Sequence, residues 1–363
     1  MTQATAALCT GPSKPFELAE VTLDELQPHE VLVRIAGVGI CHTDLAIRDS
    51  GLYAPGVLGH EGAGVIEQVG EAVTGLSPGD HVVLSYGSCR QCGNCNHDHP
   101  AYCDQFGLLN MAGMRPDGSG TLSRGGERIA GSFFAQSTFA SHAIAHENNT
   151  VKVAADLPLA ILGPLGCGLQ TGAGAVVRAL DVQAGQGIAI FGAGGVGLAA
   201  VMAARIVGAD PIVVIDLVPE KLALARELGA THVLRGDEVD AVAEIRQIAP
   251  AGLAYSLECV GVPKLLEQAI AVLGPRGVCG LLGVSAPGAT ANLEMGVLLS
   301  GRTVMGIIEG DADPKTFVPQ MLDWYRAGQF PFDRLIRTYP FADINRAVED
   351  MEYGRVVKPV LTF

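Results

Sequence analysis

GIAIFGAGGVGLAAVMAARIVGADPIVVID, residues 187–216, is the stretch that decides the fold. An apolar run, a glycine cluster, a helix-competent segment and a second apolar run follow one another in it. Strands and helices that alternate in this way form a parallel sheet with crossover helices. The alternation continues, with helices predicted at 219–228 and 239–248 and strands at 232–234, 254–258 and 278–283. We therefore predict a doubly wound α/β domain over 169–308.

The sequence on either side of this domain has a different texture. The first third contains short β-branched runs broken by Gly and Pro, such as EVLVRI at 30–35, GVIEQV at 64–69 and HVVL at 81–84. This pattern is typical of a small all-β domain. The tail after about residue 308 contains a helix candidate at 316–327 and ends in the strand-like VVKPVLTF. We expect the tail to return to the first domain, which then comprises 1–168 and 309–363.

The composition indicates a globular protein and argues against some partners. The 363 residues are 48% hydrophobic and 17% charged, unlike a disordered chain. A net charge of −14, with 24 scattered Lys and Arg, would repel phosphates, so we expect neither a nucleic acid nor a membrane as partner. The N-terminal MTQATAALCTG lacks a basic n-region and an apolar h-region, so a cytoplasmic location is expected.

The glycine cluster indicates a dinucleotide-binding turn. It has the pattern G-x-G-x-x-G between a predicted strand and a predicted helix, and its residues are Gly192, Gly194, Gly195, Val196 and Gly197. One glycine makes the tight turn, one lets the backbone approach a pyrophosphate, and one lets the helix pack closely on the strand. The helix N-terminus then presents N–H groups to the phosphates.

An acidic residue follows at the expected place. Asp216 ends the next apolar run, about twenty residues beyond the last glycine. Its carboxylate can accept hydrogen bonds from the adenine-ribose hydroxyls and would repel a 2′-phosphate. NAD is therefore favoured over NADP. The alternative is an ordinary glycine turn with a solvated aspartate at a strand end.

A dense cysteine cluster indicates a metal site. Four cysteines fall within fifteen residues, namely Cys89, Cys92, Cys95 and Cys103. Four thiolates close the tetrahedral shell of a zinc ion, so the site is predicted to be structural and to order a lobe at about 86–112. An iron–sulfur cluster is the main alternative, but Cys103 is followed by Asp104 and not by Pro. Disulfides are a weaker one in a reducing compartment.

A second set of candidate ligands is scattered along the chain. It lies in CHTD at 41–44, GHEG at 59–62 and GCG at 166–168. Spacing does not unite these segments, and a single buried His or Cys is more often a packing residue than a ligand.

Together these motifs resemble the zinc-containing medium-chain alcohol dehydrogenases. The family order is kept over essentially the whole chain by CHTD, GHEGAGVIEQVG, PGDHVV, the four-cysteine lobe, GCG-x-x-TG, GAGGVG, VVID and KPVLTF. Within the family, SFFAQSTFA, GPLGCGLQTGAGA and the stretch around FPFDRLI are most similar to aryl-alcohol (benzyl alcohol) dehydrogenases and to allylic terpene-alcohol enzymes.

The resemblance implies a fold and an activity. The fold is a GroES-like β-rich catalytic domain with a Rossmann coenzyme domain. The activity is the reversible, NAD-dependent oxidation of a primary aromatic or allylic alcohol to its aldehyde, with two Zn²⁺ per subunit. A homodimer or homotetramer is expected.

The resemblance also implies roles for the scattered residues. Cys41, His60 and Cys167 would hold a catalytic zinc with a fourth position open, which Glu61 could occupy transiently. Asp44 would orient His60. Thr43 would bond the alkoxide and start a proton relay.

Further residues would contact the cofactor. His42 and Lys358 match pyrophosphate contacts, Lys221 a position near the adenosine ribose, and Thr171 and Val284 positions near the nicotinamide. Lys221 and Lys358 could equally be solvated surface lysines.

One position departs from the family. Many relatives end the proton relay in a histidine where this chain has Ala46, so water or another base must complete it.

Three alternatives remain open. The first is a dehydrogenase of another alcohol class, aliphatic or polyol, although the polyol type tends to have Glu in place of Cys167. The second is a zinc-free quinone-type reductase, which the full ligand set argues against. The third is a non-catalytic NAD-binding scaffold, which would not need Thr43 or the three ligands.

Overall fold

The chain forms two units in the computed structural model, which describes residues 1–363. Unit 1 comprises Met1–Gly168, Asp313–Gln320 and Asp333–Phe363. Unit 2 comprises Leu169–Ala312 and Met321–Phe332. The functional division at 168/169 and 308/309 stays a prediction.

Strands outnumber helices along the chain. The strands are β1 Thr2–Cys9, β2 Glu17–Leu23, β3 Glu30–Gly39, β4 Gly56–Val57, β5 Glu61–Val69, β6 His81–Leu84, β7 Leu122–Arg124, β8 Glu127–Ile129, β9 His142–His146, β10 Thr150–Val153, β11 Ile188–Phe191, β12 Ile212–Asp216, β13 His232–Arg235, β14 Leu253–Glu258, β15 Leu273–Leu281, β16 Thr303–Gly306, β17 Ile336–Pro340 and β18 Lys358–Thr362. The helices are α1 His42–Ser50, α2 Gly93–Asn96, α3 Phe106–Met111, α4 Gly168–Gly174, α5 Gly195–Val207, α6 Pro219–Leu228, α7 Ala241–Ile248, α8 Pro263–Ala271, α9 Met295–Leu299, α10 Pro314–Arg326 and α11 Ile344–Glu352. None of these helices has both the length and the apolar character needed to span a membrane.

Unit 1 is built on two sheets. One has the order β4-β1-β2-β7-β8, and the other has the order β10-β6-β5-β3-β18-β17, with β9 also paired to β3. β18 runs antiparallel to β3, with Val360 opposite Gly39. The end of the chain therefore lies in the sheet that its first third builds. The core between the elements is aliphatic and aromatic, and it includes the fully buried Leu8, Ile40 and Phe139.

Unit 2 is a six-stranded parallel sheet of order β13-β12-β11-β14-β15-β16. Counted within the unit, this is the order 3-2-1-4-5-6 of a doubly wound fold, in which ligands bind at the carboxyl ends of the strands where the order reverses. The reversal lies at β11, which pairs with both β12 and β14. The predicted combination of a β-rich part with a doubly wound parallel sheet is confirmed.

The predicted elements differ from the observed ones mainly at their ends. β6 and α6 have the predicted bounds, whereas β3 continues to Gly39 and β5 begins at Glu61. Glycines have low strand propensity, but here pairing between β3 and β5 extends both strands. Glycine at position 39 leaves room for Glu61, because an added Cβ would lie 2.1 Å from Glu61 Oε2 and force that side chain to shift.

Candidate active site

Four potential ligands converge in unit 1. The ligand atoms of Cys41, His60, Glu61 and Cys167 all lie within 4.8 Å of one another. Cys41 precedes α1, His60 and Glu61 stand at the start of β5, and Cys167 follows the short helical turn Gly163–Gly166. His60 and Glu61 are fully buried. The structure thus brings together the segments that spacing alone could not unite.

Asp44 joins two of these segments. Its Oδ2 accepts a hydrogen bond from Cys41 N at 2.9 Å, and its Oδ1 accepts one from Gly59 N at 3.0 Å. The same Oδ1 lies 2.9 Å from His60 Nδ1, which must donate because a carboxylate only accepts. In the neutral ring, the form that binds a metal, His60 therefore has its lone pair on Nε2, and this atom is buried without a hydrogen-bond partner.

This donor set fits a zinc ion. Two cysteine sulfurs and one imidazole nitrogen are ligand types of catalytic zinc sites, which leave one position open. A ligand histidine usually donates its other N–H to a carboxylate, as His60 does to Asp44. An unpartnered buried nitrogen is costly unless a ligand satisfies it.

The titrating groups of the cluster share protons. The hydrogen bond with Cys167 holds the pKa of the Cys41 thiol well below its usual range, although burial opposes this. Burial alone would lower the pKa of His60, but the charges and hydrogen bonds of Asp44 and Cys41 together outweigh it and raise that pKa well above its usual value. A cation at this point would compete with protons for the same sulfur and nitrogen lone pairs.

Glu61 is paired with a buried lysine. Lys358 Nζ donates to both Glu61 oxygens at 2.9 Å and to Ile40 O at 3.2 Å. Lys358 is only 5% exposed, so the alternative of a solvated surface lysine is wrong for it. Burial lowers the pKa of Lys358, but the Glu61 carboxylate together with the Cys41 and Cys167 thiolates outweighs burial and raises that pKa. Contact of Lys358 with a cofactor phosphate stays a prediction.

The start of α1 carries Thr43, predicted for proton transfer, and His42, predicted to contact the cofactor pyrophosphate. Thr43 is half-buried, and its Oγ1 lies 3.7 Å from Cys41 Sγ. His42 and Ala46 are exposed. Solvent therefore reaches α1 at Ala46.

Two aromatic residues that sequence reasoning did not assign lie against His60. The Phe134 ring stacks on the imidazole with centroids 4.6 Å apart and planes at 25°. The Phe133 ring meets the imidazole edge-on at 5.3 Å. The only signal for them was the FF pair within SFFAQSTFA, because nothing local places this pair next to His60.

The four-cysteine lobe also brings its sulfurs together. The Sγ atoms of Cys89, Cys92, Cys95 and Cys103 lie within 4.8 Å of one another, and all are free cysteines. Backbone N–H groups donate to these sulfurs, for instance Cys92 N to Cys89 Sγ and Cys89 N to Cys103 Sγ, both at 3.3 Å. Hydrogen bonds from the backbone of Cys95 and Asp104 lower the pKa of Cys92 to about 6. Four converging sulfurs with N–H donors fit a closed tetrahedral zinc site.

The glycine turn of unit 2 has the shape that a pyrophosphate needs. Gly192 has φ +101°, in the left-handed region that favours glycine. A Cβ at Gly197 would lie 1.8 Å from Gly192 O, so α5 approaches the turn as closely as a backbone can. Gly194 caps α5, and a Cβ there would meet nothing within 4 Å. Gly195 and Val196, the first residues of α5, are half-buried. Open space in front of a helix N-terminus fits a phosphate group.

Asp216 is tied to this turn. Its carboxylate accepts hydrogen bonds from Ala193 N at 2.6 Å, Leu217 N at 2.8 Å and Val218 N at 2.9 Å. A carboxylate has about four acceptor sites, so one remains for a ribose hydroxyl. Asp216 is therefore more than a solvated charge, and its contact with a ribose stays a prediction.

The other residues predicted to contact the cofactor are spread over unit 2. Lys221 is half-buried in the first turn of α6, and Thr171 is half-buried in α4. Val284 lies beyond the end of β15 and is 65% exposed. The structure links Asp216 to the glycine turn through hydrogen bonds, and the roles of Lys221, Thr171 and Val284 stay predictions.

Glu258 lies beside the glycine turn and is not among the residues predicted from the sequence. The fully buried Glu258 carboxylate accepts hydrogen bonds from Val260 N at 2.9 Å and Gly261 N at 2.8 Å. A Cβ at Gly192 would lie 2.6 Å from Val260 Cγ2, so the loop that Glu258 holds covers the turn. The available signal was an acid at the end of the apolar run 253–258, which repeats the placement of Asp216.

Two family models match the chain. The model described as "Alcohol dehydrogenase GroES-like domain" matches residues 27–155, and the model described as "Zinc-binding dehydrogenase" matches residues 195–327. A geraniol dehydrogenase of Castellaniella defragrans is 49% identical over 364 aligned positions, which cover 99% of this chain and 98% of that protein. The chain belongs to the zinc-dependent alcohol dehydrogenase family. Its resemblance to that family, predicted from the motifs, is confirmed.

Solved structures of similar proteins agree with this. The benzyl alcohol dehydrogenase of Acinetobacter calcoaceticus has a TM-score of 0.97 and 43% identity, with all of both chains covered. An alcohol dehydrogenase zinc-binding domain protein from Burkholderia ambifaria has a TM-score of 0.97 and 48% identity, covering 100% of this chain and 99% of its own. The GroES-like and dinucleotide-binding fold and the assignment to the alcohol dehydrogenase class of oxidoreductases are confirmed.

Proposed function

We propose that this dehydrogenase oxidises a primary aromatic or allylic alcohol to its aldehyde, with NAD as the hydride acceptor. The observation that carries the proposal is the convergence of Cys41, Cys167 and the unpartnered Nε2 of His60 in one buried cluster. One zinc ion would be held there and a second by the four-cysteine lobe. The names of two relatives specify geraniol, an allylic primary alcohol, and benzyl alcohol, an aromatic one.

The residues in and around the cluster have separate roles in the reaction. A zinc ion bound by Cys41, His60 and Cys167 supplies a Lewis acid that lowers the pKa of the alcohol hydroxyl. Asp44 keeps His60 in the tautomer that presents Nε2. The Thr43 hydroxyl accepts the proton of the alcohol and passes its own proton to water, which has access to α1 at Ala46.

Two features support the choice of substrate and cofactor. Phe133 and Phe134 place flat apolar rings beside His60, which suits an alcohol whose carbinol carbon carries an aromatic or allylic group. NAD supplies the hydride acceptor, and the Asp216 carboxylate beside the glycine turn disfavours a 2′-phosphate.

The assembly and location are part of the same proposal. β16 is an edge strand of the parallel sheet, and Met295 and Leu299 in α9, the helix that precedes it in the chain, are 84% and 89% exposed. An open strand edge and exposed apolar side chains each favour association with a second copy, so we propose a homo-oligomer, at least a dimer. Nine free cysteines suit a reducing compartment, which supports the cytoplasm.

The test combines metal analysis with an alcohol panel. We expect two zinc ions per subunit and higher kcat/KM for benzylic and allylic alcohols than for short aliphatic ones, with NAD preferred. Cys167→Ala should remove one zinc and abolish turnover. Cys9→Ala, which alters a buried cysteine of unit 1 outside both clusters, should keep both ions and full activity. Full turnover in Cys167→Ala would refute the proposal, and a preference for aliphatic alcohols or polyols would refute its substrate class.

A further inference from the structure

The positions of His60 and Cys167 relative to each other need a physical cause, because the two ligands come from distant parts of the chain. Asp44 ties the Cys41 segment to the His60 segment. We infer that Gln136 and Ser85 form a second tie, which holds the backbone at His60 to the backbone at Cys167 and so sets the spacing of these two ligands. This inference rests on the metal site of the proposed function.

Gln136 forms the half of the tie next to His60. Its side-chain Nε2 donates to His60 O at 2.9 Å and to Ser85 O at 3.1 Å. Its Oε1 accepts from Gly62 N at 3.2 Å and from Thr138 Oγ1 at 3.3 Å. Gln136 is 2% exposed, and each of its two amide protons has an acceptor. One amide thus clamps the backbone on both sides of Glu61 to the end of β6.

Ser85 forms the half next to Cys167. It follows β6, is fully buried, and donates from Oγ to Gly166 O at 2.6 Å. Its own carbonyl oxygen accepts from Gln136 and from Asn149 Nδ2 at 3.0 Å. Gly166 is the residue before Cys167. A continuous path of buried hydrogen bonds and peptide bonds therefore runs from His60 through Gln136 and Ser85 to Cys167.

The packing of the Gly163–Gly166 turn makes this path stiff. A Cβ at Gly166 would lie 2.0 Å from Leu84 O, and a Cβ at Gly163 would lie 1.9 Å from Glu61 O. The turn therefore touches β5 and β6 backbone to backbone, with no side chain between them. Because interiors are close-packed, a shift at the end of β6 passes directly to Cys167.

Gln136 and Ser85 differ from Asp44 in how they act. Asp44 is charged and contacts the imidazole ring, whereas the bonds of Gln136 and Ser85 described above are neutral and involve backbone atoms of the ligand segments. They are positioning residues, so their loss should change how tightly the cluster retains its ion. The retention of the ion in the four-cysteine lobe should not change.

The test measures metal release from purified holoenzyme. A chromophoric chelator should remove the two zinc ions in two phases, and Cys167→Ala identifies the phase that belongs to the cluster. Losing a partner that orients ligands usually lowers metal affinity about 10- to 100-fold, so Ser85→Ala and Gln136→Met should accelerate that phase by a similar factor. The cobalt-substituted Ser85→Ala enzyme should show a shifted thiolate-to-cobalt absorption band, and the KM for NAD should stay unchanged.

Ser256→Ala is the matched control. Ser256 is fully buried in unit 2 and donates from Oγ to Ala269 O at 2.7 Å. Ser256→Ala therefore removes the same kind of hydrogen bond as Ser85→Ala, but far from the metal cluster in the chain. Equal release rates in Ser85→Ala and Ser256→Ala would overturn the inference. Because Ser85→Ala removes only one oxygen atom, it tests the inference even if Gln136→Met does not fold. If wild-type enzyme shows no release phase that Cys167→Ala removes, the proposed metal site fails instead.

Discussion

Asp44→Asn is the substitution whose effect can be worked out most closely. The carboxylate receives three hydrogen bonds, from Cys41 N, Gly59 N and His60 Nδ1. Asparagine has one acceptor oxygen. With that oxygen in the place of Oδ1, the bonds from Gly59 and His60 persist, but the amide NH₂ faces the Cys41 N–H, donor to donor. Asp44 is fully buried, so no solvent relieves this conflict.

The magnitude follows from the lost bond. A hydrogen bond to a charged acceptor contributes about 1.5–3 kcal/mol. At 1.4 kcal/mol for each factor of ten, zinc affinity at the cluster should fall about 10- to 100-fold. Loss of the negative charge also makes His60 a weaker donor to the metal, in the same direction. We expect kcat to fall with it, because fewer subunits hold the ion.

A competition titration against a chelator measures this affinity directly. Asp350→Asn is the control, because Asp350 is also buried in unit 1 and accepts from Tyr339 Oη at 2.8 Å and from Arg355 Nη1 at 3.0 Å. It should reduce the free energy of unfolding without changing zinc affinity. Wild-type zinc affinity in Asp44→Asn, or an equal loss in Asp350→Asn, would show that the reasoning is wrong.

Two further predictions concern the cofactor and the proton. Asp216→Ser removes the carboxylate at the glycine turn, so kcat/KM with NAD should fall about 10- to 100-fold while kcat/KM with NADP rises. The control Asp240→Ser changes the N-cap of α7 to another good cap, so it should leave kcat/KM with either cofactor unchanged. Ala46→His adds a base that is neutral above about pH 6.5, so kcat for alcohol oxidation should rise above that pH and gain nothing below it, whereas Ala46→Gln should keep the wild-type profile. A constant NAD-to-NADP ratio in the first case, or an unchanged pH profile in the second, would contradict these expectations.

The features that could be predicted from the sequence are those whose parts lie close together along the chain. The glycine turn occupies six residues and the four-cysteine lobe fifteen, so the spacing of residues within one short segment indicates what each can bind. The period of apolar residues predicted the parallel sheet, and the bounds of β6 and α6 needed no tertiary information. The strand ends at Gly39 and Glu61 were missed because pairing between strands, and not local propensity, forms them.

The roles of Cys41, His60 and Cys167 came from resemblance to a family, since no spacing rule connects them. Only the tertiary structure shows that Lys358 is a buried partner of Glu61, a residue 297 positions away. The same holds for the ring of Phe134 on His60 and for the amide of Gln136 between two strands.

By itself, then, the amino-acid sequence determined the elements and sites that a single segment can form: the turn that suits a phosphate, the lobe with four sulfurs, and the alternation that makes a parallel sheet. The tertiary structure decided which charges are buried together and which backbone groups hold His60 and Cys167. The physical reason is that burial and hydrogen-bond geometry depend on what lies within a few ångströms in space. For these residues the neighbours in space come from distant parts of the chain.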